Sequence, residues 1–167
     1  MRILMVGGGC RGLDLTRDLA ADGHAVRVVT RDEGRRAEIE QAGGQPWIGD
    51  PDRIGTLRYA LDNVTLLLWL LGTAKGTPEQ VADLHSGRLN MMLERTTDTT
   101  VRGVVVETGG TLPPEVAASA ISEIERANRV NEIPYRLLDA DPSDRAGWLE
   151  AAHAAIDDLL LPRASVQ

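Results

Sequence analysis

The sequence predicts a single α/β domain built on a doubly wound, parallel sheet of six strands in the order 3-2-1-4-5-6. Two observations lead to this fold class. Short apolar runs alternate with helical patterns along the whole chain, which is typical of βα units whose helices cover both faces of a sheet. The 167 residues, 43% of them apolar, suit one domain with one core. We expect residues 1–162 to form this domain and residues 163–167 to be a flexible tail.

The strands are predicted where apolar residues cluster between turn signals. The run at residues 64–71 is apolar on both faces, so we expect it in the centre of the sheet. It is also far shorter than the roughly 20 residues that cross a bilayer. The predicted strands are residues 3–6, 25–30, 46–48, 64–71, 101–106 and 133–138.

The helices are predicted from apolar residues at one-turn spacing. The clearest start is Thr77-Pro78-Glu79-Gln80, where Thr77 can cap the first turn and Gln80 can return a bond to the cap residue. Gly43-Gly44 marks a helix end. The predicted helices are residues 12–22, 33–42, 52–61, 77–95 and 114–129, with a last helix that opens at Ser143.

Composition excludes several classes of function. The net charge of -7 and pI near 4.9 argue against a nucleic-acid binder. Cys10 is the only cysteine, so neither an intrachain disulfide nor a multi-cysteine zinc site can form. Met1 leads directly into a strand pattern without the features of a signal peptide. We therefore expect a cytoplasmic protein that binds neither nucleic acid nor a membrane.

A glycine-rich loop follows the first predicted strand. Gly7, Gly9 and Gly12 match G-x-G-x-x-G at the start of a helix. The first glycine permits a tight turn, the second lets backbone amides approach a pyrophosphate, and the third allows helix and strand to pack closely. The loop, which includes Cys10 and Arg11, predicts a site for a small-molecule dinucleotide, although a turn without a ligand is the alternative.

The end of the second strand indicates which dinucleotide is preferred. Thr30 and Arg31 stand where an NAD-selective site usually carries an acidic residue for the ribose diol. Arg31 therefore favours the 2'-phosphate of NADP(H), whereas the adjacent Asp32 keeps NAD open as the less expected cofactor. A solvated helix start is the other interpretation of this basic segment. Three further arginines could bind the 2'-phosphate: Arg11, Arg35 and Arg36.

An acidic residue follows the third strand. The Asp50 carboxylate is well placed to accept a hydrogen bond from an adenine amino group. Alternatively, Asp50 caps the helix predicted after Pro51.

Together these motifs resemble the atypical short-chain dehydrogenase/reductase family, the NAD(P)-binding Rossmann-fold group related to NmrA and to flavin and biliverdin reductases. The resemblance covers nearly the whole chain and rests on residues 7–12, 23–31, 49–50, 123–128 and 133–138. It implies that Gly7, Gly9, Arg11, Gly12 and Arg31 hold the phosphates of the cofactor and that Asp50 holds its adenine. Leu71, Gly72 and Thr73 would lie along the ribose and nicotinamide.

The proton-donating pair of short-chain dehydrogenases is absent. That pair is a Tyr with a Lys four residues later, but Tyr59 and Tyr135 are followed at that spacing by Asn63 and Asp139, and Lys75 is the only lysine. The catalytic residues are therefore unknown. Hydride delivery to a flavin or quinone-like acceptor needs mainly orientation, so we expect either a reductase or a cofactor-sensing protein.

Other residues at strand and helix ends have weaker signals. Glu107, Thr108 and Asp139 could line a pocket, or they could cap helices and face solvent. Cys10 could be a redox-sensitive thiol or simply a small residue that fits its loop. The histidines lack metal-ligand spacing and are predicted at the surface or boundary: His24, His85 and His153.

Two other functional classes stay open from the sequence. Regulatory domains of the RCK/TrkA type, which control transporters, share the glycine loop and the Gly-Asp after the third strand but usually carry an acidic residue in place of Arg31. A methyltransferase that uses S-adenosylmethionine fits the loop less well. A homodimer through the fourth and fifth helices is expected by analogy with related folds alone.

Overall fold

The computed structural model describes residues 1–161 and contains one six-stranded sheet. Neighbouring strands are all parallel and follow the order β3-β2-β1-β4-β5-β6, so the predicted fold class and strand order are confirmed. The tail predicted at residues 163–167 lies outside the described residues. The strands are β1 (Arg2–Gly7), β2 (Ala25–Thr30), β3 (Gln45–Ile48), β4 (Leu66–Leu70), β5 (Gly103–Glu107) and β6 (Tyr135–Leu138).

In the part of the chain that the structure describes, six α-helices connect or follow the strands. They are α1 (Gly9–Ala21), α2 (Arg36–Gln41), α3 (Pro78–Leu84), α4 (Gly87–Thr96), α5 (Pro114–Asn131) and α6 (Arg145–Leu160). Among residues 1–161, none of them is both long enough and apolar enough to cross a membrane.

The segment predicted as a helix at residues 52–61 forms two short 3₁₀ turns instead, Ile54–Leu57 and Tyr59–Leu61. Their apolar residues are buried at one-turn spacing as predicted. Gly55 weakens a continuous α-helix, and 3₁₀ turns are the usual form of so short a connection.

The helix predicted at residues 77–95 is two helices, α3 and α4. The start of α3 is the predicted capping box, because Thr77 and Gln80 exchange side-chain to backbone hydrogen bonds. The chain leaves helical geometry at Ser86, with φ -131° and ψ -94°. The preceding His85 is fully buried, which contradicts its predicted place at the surface or boundary. Helical spacing of apolar residues continues across the break, so the sequence pattern does not reveal it.

The core lies on both faces of the sheet. On one face, alternate residues of β1, β4 and β5 pack under α3, α4 and α5, around Trp69. On the other face, the intervening residues pack under α1, α2 and α6, around Trp148. Burial of each large apolar side chain contributes about 1.5–3 kcal/mol. The helices thus hold the carboxyl ends of all strands at one edge, where ligands bind in this architecture.

Candidate functional site

The glycine loop forms a tight turn between β1 and α1. Gly7, Gly8 and Gly9 all have positive φ, and the Gly8 amide donates to the Leu70 carbonyl at 2.7 Å. A Cβ at Gly7 would lie 2.3 Å from that carbonyl oxygen. A Cβ at Gly9 would meet nothing within 4 Å, although its φ of 54° still favours glycine. Packing therefore accounts for Gly7, whereas space is left open above Gly9.

The first turn of α1 presents unused backbone donors. The amides of Gly9, Cys10 and Arg11 donate no hydrogen bond to any residue in the range 1–161, as expected for the start of a helix. Gly9 and Cys10 are exposed, and the first turn contains no acidic residue. This end of a 13-residue helix is suited to a phosphate group because its amides and its dipole both favour an anion.

A cavity of about 310 Å³ lies beside this turn, at the carboxyl ends of β1, β2 and β3. Its apolar lining comes mainly from Val6, Val29, Leu71 and Leu84. The structure thus brings together five predicted site residues in this lining: Gly7, Thr30, Arg31, Asp50 and Leu71. Two residues without a predicted role at this site, Lys75 and Gln80, also line the cavity. Their position after the fourth strand, whose carboxyl end lies at the ligand-binding edge of the sheet, could have indicated a place in this site.

Among the basic residues beside β2, Arg31 is the one without a partner among residues 1–161. Arg35, which also lines the cavity, pairs with Glu38 at 3.0 Å. Arg36 pairs with Glu33 at 3.1 Å. The Arg31 guanidinium is exposed at the edge of the cavity and is available to an anion.

The two acidic residues near Arg31 are partly engaged. Asp32 accepts a hydrogen bond from the Gly34 amide at 2.8 Å and so caps the turn before α2. One carboxylate oxygen of Asp50 accepts from the Asp52 amide at 2.9 Å, which fixes a turn rather than a helix start. The other Asp50 oxygen has no hydrogen-bond partner in the described part of the chain and can accept from a ligand.

The Arg11 side chain points away from this cavity, so its expected reach toward a 2'-phosphate is not observed. Its guanidinium lies 5.1 Å from the ring centre of Trp148. Its Nη2 donates to Thr73 Oγ1 at 3.2 Å and lies 3.9 Å from Glu107 Oε2. Arg11 therefore joins the turn after β1 to the loop after β4.

Glu107 is fully buried at the end of β5 rather than exposed in a pocket or to solvent. One carboxylate oxygen accepts from the Gly72 amide and the other from Trp148 Nε1, both at 2.6 Å. Together with the nearby Arg11, these donors offset the cost of burying the carboxylate. Glu107 thus has a structural role in joining β4, β5 and α6.

The loops after β4, β5 and β6 pack directly on one another. The Gly72 carbonyl accepts from the Thr111 amide at 3.0 Å, and the Gly109 amide donates to the Leu138 carbonyl at 3.2 Å. A Cβ at Gly72 would lie 2.3 Å from the Gly109 oxygen. Gly72 and Thr73, predicted beside ribose and nicotinamide, therefore lie at a closed junction outside the lining of the cavity.

Two further features bear on chemistry. Both tyrosines lie near the amino ends of strands, Tyr59 in the turn before β4 and Tyr135 at the first position of β6, so neither faces the cavity. Within residues 1–161, no three His, Cys, Asp or Glu side chains are arranged to hold a metal ion.

His85 lies beneath the floor of the cavity. Its Nε2 is 3.0 Å from the carbonyl oxygen of Leu71, a residue that lines the cavity. Its Nδ1 is buried without a partner among the described residues. Burial lowers the pKa of His85, and the hydrogen bond to Leu71 offsets part of this shift.

Comparison with known proteins finds relatives in structure alone. No family model matches the chain, and no curated protein sequence matches it. The chain is similar to UDP-glucose 4-epimerase of Thermotoga maritima, with a TM-score of 0.69 and 16% identity over 83% of this chain and 55% of that one. UDP-glucuronic acid 4-epimerase of Bacillus cereus, in complex with NAD, gives 0.67 and 14% over 84% and 56%.

A third similar structure is triphenylmethane reductase of Citrobacter sp., solved in complex with NADP(H). Its TM-score is 0.64 and its identity 18%, over 83% of this chain and 49% of that one. The chain thus spans about half the length of these enzymes. At these identities the likeness establishes the fold: the chain has the Rossmann-like α/β architecture found in structures solved with NAD and with NADP(H).

Proposed function

We propose that this protein binds NADP(H) beside the glycine turn and is an atypical short-chain dehydrogenase/reductase without the Tyr-Lys pair. The observation that carries the proposal is Arg31, an exposed cation without a partner in the described chain, at the edge of a 310 Å³ cavity. Gly7, two residues before the first open amide of α1, also lines this cavity. The cavity and the amides would hold an adenosine and its phosphate, and Arg31 would hold a 2'-phosphate.

Residues of this chain fit the adenosine part of such a cofactor. Val6, Val29 and Leu71 supply an apolar surface for a base, and the second oxygen of Asp50 can accept from an amino group. The exposed backbone at Gly9 and Cys10 leaves room for a phosphate at the helix end. The bound cofactor would supply hydride chemistry at its nicotinamide, while the residues named above would hold its adenosine part.

The selectivity for NADPH over NADH provides the test. We expect Arg31→Ala to weaken NADPH binding about 10- to 100-fold, because a charge-assisted contact is lost, and to leave NADH binding nearly unchanged. Isothermal titration calorimetry of the wild type and of Arg31→Ala, each with NADPH and with NADH, measures these affinities. Arg17→Ala is the matched control, since Arg17 is exposed on α1 and pairs with Asp14.

Three results would contradict the proposal. An equal loss for NADH and NADPH would show that Arg31 does not read the 2'-phosphate. Tighter binding of ATP or NADH than of NADPH would favour a regulatory domain of the RCK/TrkA type. Binding of S-adenosylmethionine alone would favour a methyltransferase.

A further inference from the structure

We propose that this protein recognises the adenosine half of its dinucleotide alone, and therefore binds NADP⁺ and NADPH without distinguishing their redox states. The proposal rests on the proposed function, because it assigns the part of NADP(H) that the site contacts. Its basis is the difference between the two mononucleotide-binding halves of the sheet edge.

The first half, at the ends of β1, β2 and β3, contains the cavity. Besides residues at and just after these strand ends, its lining contains residues of the loop after β4 and of α3. It includes no residue of β5, β6 or the loops that follow them among residues 1–161. A volume of 310 Å³ is at the lower end of the range for small-molecule sites, roughly 300–1,000 Å³. The cavity therefore has room for an adenosine, and its lining does not extend to the second half of the sheet edge.

The second half is filled by the chain itself. Besides the Gly72 contact with Gly109, a Cβ at Gly110 would lie 2.4 Å from the Gly72 oxygen. A Cβ at Gly109 would lie 2.7 Å from the Ala140 oxygen. Backbone thus packs on backbone at the ends of β4, β5 and β6, where a second nucleotide would be expected to bind.

The crossing point between the halves is closed as well. Strand order reverses between β1 and β4, and a dinucleotide in this fold crosses the crevice at that reversal. The Arg11 side chain spans this crevice through its hydrogen bond to Thr73 and its contact with Trp148. Displacement of Arg11 would also remove the cation next to the buried Glu107, which opposes opening.

The nicotinamide would consequently remain outside the contacts that fix the ligand. Because oxidised and reduced cofactors differ only at that ring, the site would respond to the sum of NADP⁺ and NADPH. A fragment that carries the adenosine and its two phosphates but no nicotinamide, adenosine 2',5'-bisphosphate, should bind as well as the complete cofactor.

Calorimetry of the full chain with adenosine 2',5'-bisphosphate, NADP⁺ and NADPH tests this inference. We expect the three dissociation constants to agree within about fivefold. A difference of fivefold or more between any two of them would overturn the inference while leaving the binding of NADP(H) intact. If none of the three binds, the proposed function itself fails.

A second measurement tests the role of Arg11 in closing the crevice. Arg11→Ala should raise the affinity for NADPH relative to adenosine 2',5'-bisphosphate by about fivefold or more. Thr73→Val, which removes the hydrogen bond at similar side-chain volume, should change the same ratio in the same direction if Arg11→Ala is too unstable to measure. Arg17→Ala on the same helix should leave the ratio unchanged. A ratio that stays constant or falls in the Arg11 and Thr73 variants would overturn the role assigned to Arg11 in closing the crevice.

Discussion

The two halves of the sheet edge use charge in opposite ways. At the ends of β1–β3, Arg31 is exposed and has no partner in the described chain, and a cavity lies next to it. At the ends of β4–β6, the carboxylate of Glu107 is fully buried and accepts hydrogen bonds from Gly72 and Trp148. The first arrangement leaves charge available to a ligand, whereas the second uses charge to join elements of the fold.

This difference shows that strand ends do not define a ligand site by themselves. Both halves present loops at the carboxyl edge of the same parallel sheet. In the second half, glycines allow those loops to approach until backbone meets backbone. Replacement of Glu107 or Gly72 in the second half should therefore reduce stability, whereas replacement of Arg31 in the first half should mainly affect binding.

The largest expected effect is that of Glu107→Ala. This substitution leaves the Gly72 amide and Trp148 Nε1 without their acceptor in a buried site, and it removes the carboxylate that lies 3.9 Å from the Arg11 guanidinium. Loss of one partner of a buried ionic contact typically costs about 3–5 kcal/mol, so we expect the free energy of unfolding to fall by that amount. Denaturation with urea, followed by circular dichroism, measures the change.

Glu33→Ala is the matched control in the first half, because Glu33 forms an exposed pair with Arg36. Its effect should stay within about 0.5 kcal/mol. A loss of less than about 1 kcal/mol for Glu107→Ala would contradict a structural role for the second half.

One glycine substitution in each half should change the free energy of unfolding by less than Glu107→Ala does. In Gly72→Ala the new methyl group would lie 2.3 Å from the Gly109 oxygen and 2.5 Å from Glu107 Oε1. We expect a loss near 3 kcal/mol, at the upper end for overpacked sites. Gly9→Ala meets no atom within 4 Å and should lose only about 1 kcal/mol, from its positive φ. It should also weaken NADPH binding, since the methyl group would lie next to the open amides.

Thermal or urea unfolding of both variants, with calorimetry of Gly9→Ala, checks this comparison. Equal losses of stability in Gly72→Ala and Gly9→Ala would show that the two glycines are packed alike. That result would contradict the distances in the structure. Unchanged NADPH affinity in Gly9→Ala would place the phosphate elsewhere.

The structure of the first half could be predicted from the sequence better than that of the second, because the signals for the first half are local. The glycine turn, the capping box at Thr77 and the position of Arg31 at the end of β2 each depend on residues within a few positions of one another. The parallel sheet also followed from the regular alternation of βα units. These features can be predicted from the sequence without knowing which distant residues are in contact.

The second half depends on contacts between residues that are far apart in sequence. Arg11 and Thr73 are 62 positions apart, and Glu107 and Trp148 are 41 apart. No periodicity or motif in the sequence indicates that such distant residues are in contact. Arg11 was therefore expected at a phosphate, and Glu107 was expected in a pocket or in solvent. The break between α3 and α4 was missed because the apolar spacing continues across it; at the break, His85 contacts Leu71, 14 positions earlier in the chain.

The smallest expected effect concerns pH and the floor of the first-half cavity. Since Leu71 O accepts from His85 Nε2–H, protonation would place a proton on Nδ1, which is buried without an acceptor in the described chain. Burial lowers the pKa of His85 in the folded protein below 6.5. Between that lowered pKa and 6.5 the unfolded state binds more protons, so stability is complete above about pH 6.5 and falls as the solution is acidified.

We expect the free energy of unfolding to fall by about 1 kcal/mol more in the wild type than in His85→Gln between pH 7 and about pH 5.5. Glutamine has no titrating group and can still donate to Leu71 O, so it separates proton binding from loss of the hydrogen bond. If both proteins lost stability in parallel, His85 would titrate normally in the folded state and the buried, unprotonated imidazole would be excluded. If the difference instead appeared with NADPH bound and vanished without it, the imidazole would be buried only in the complex, against the burial of His85 in this structure.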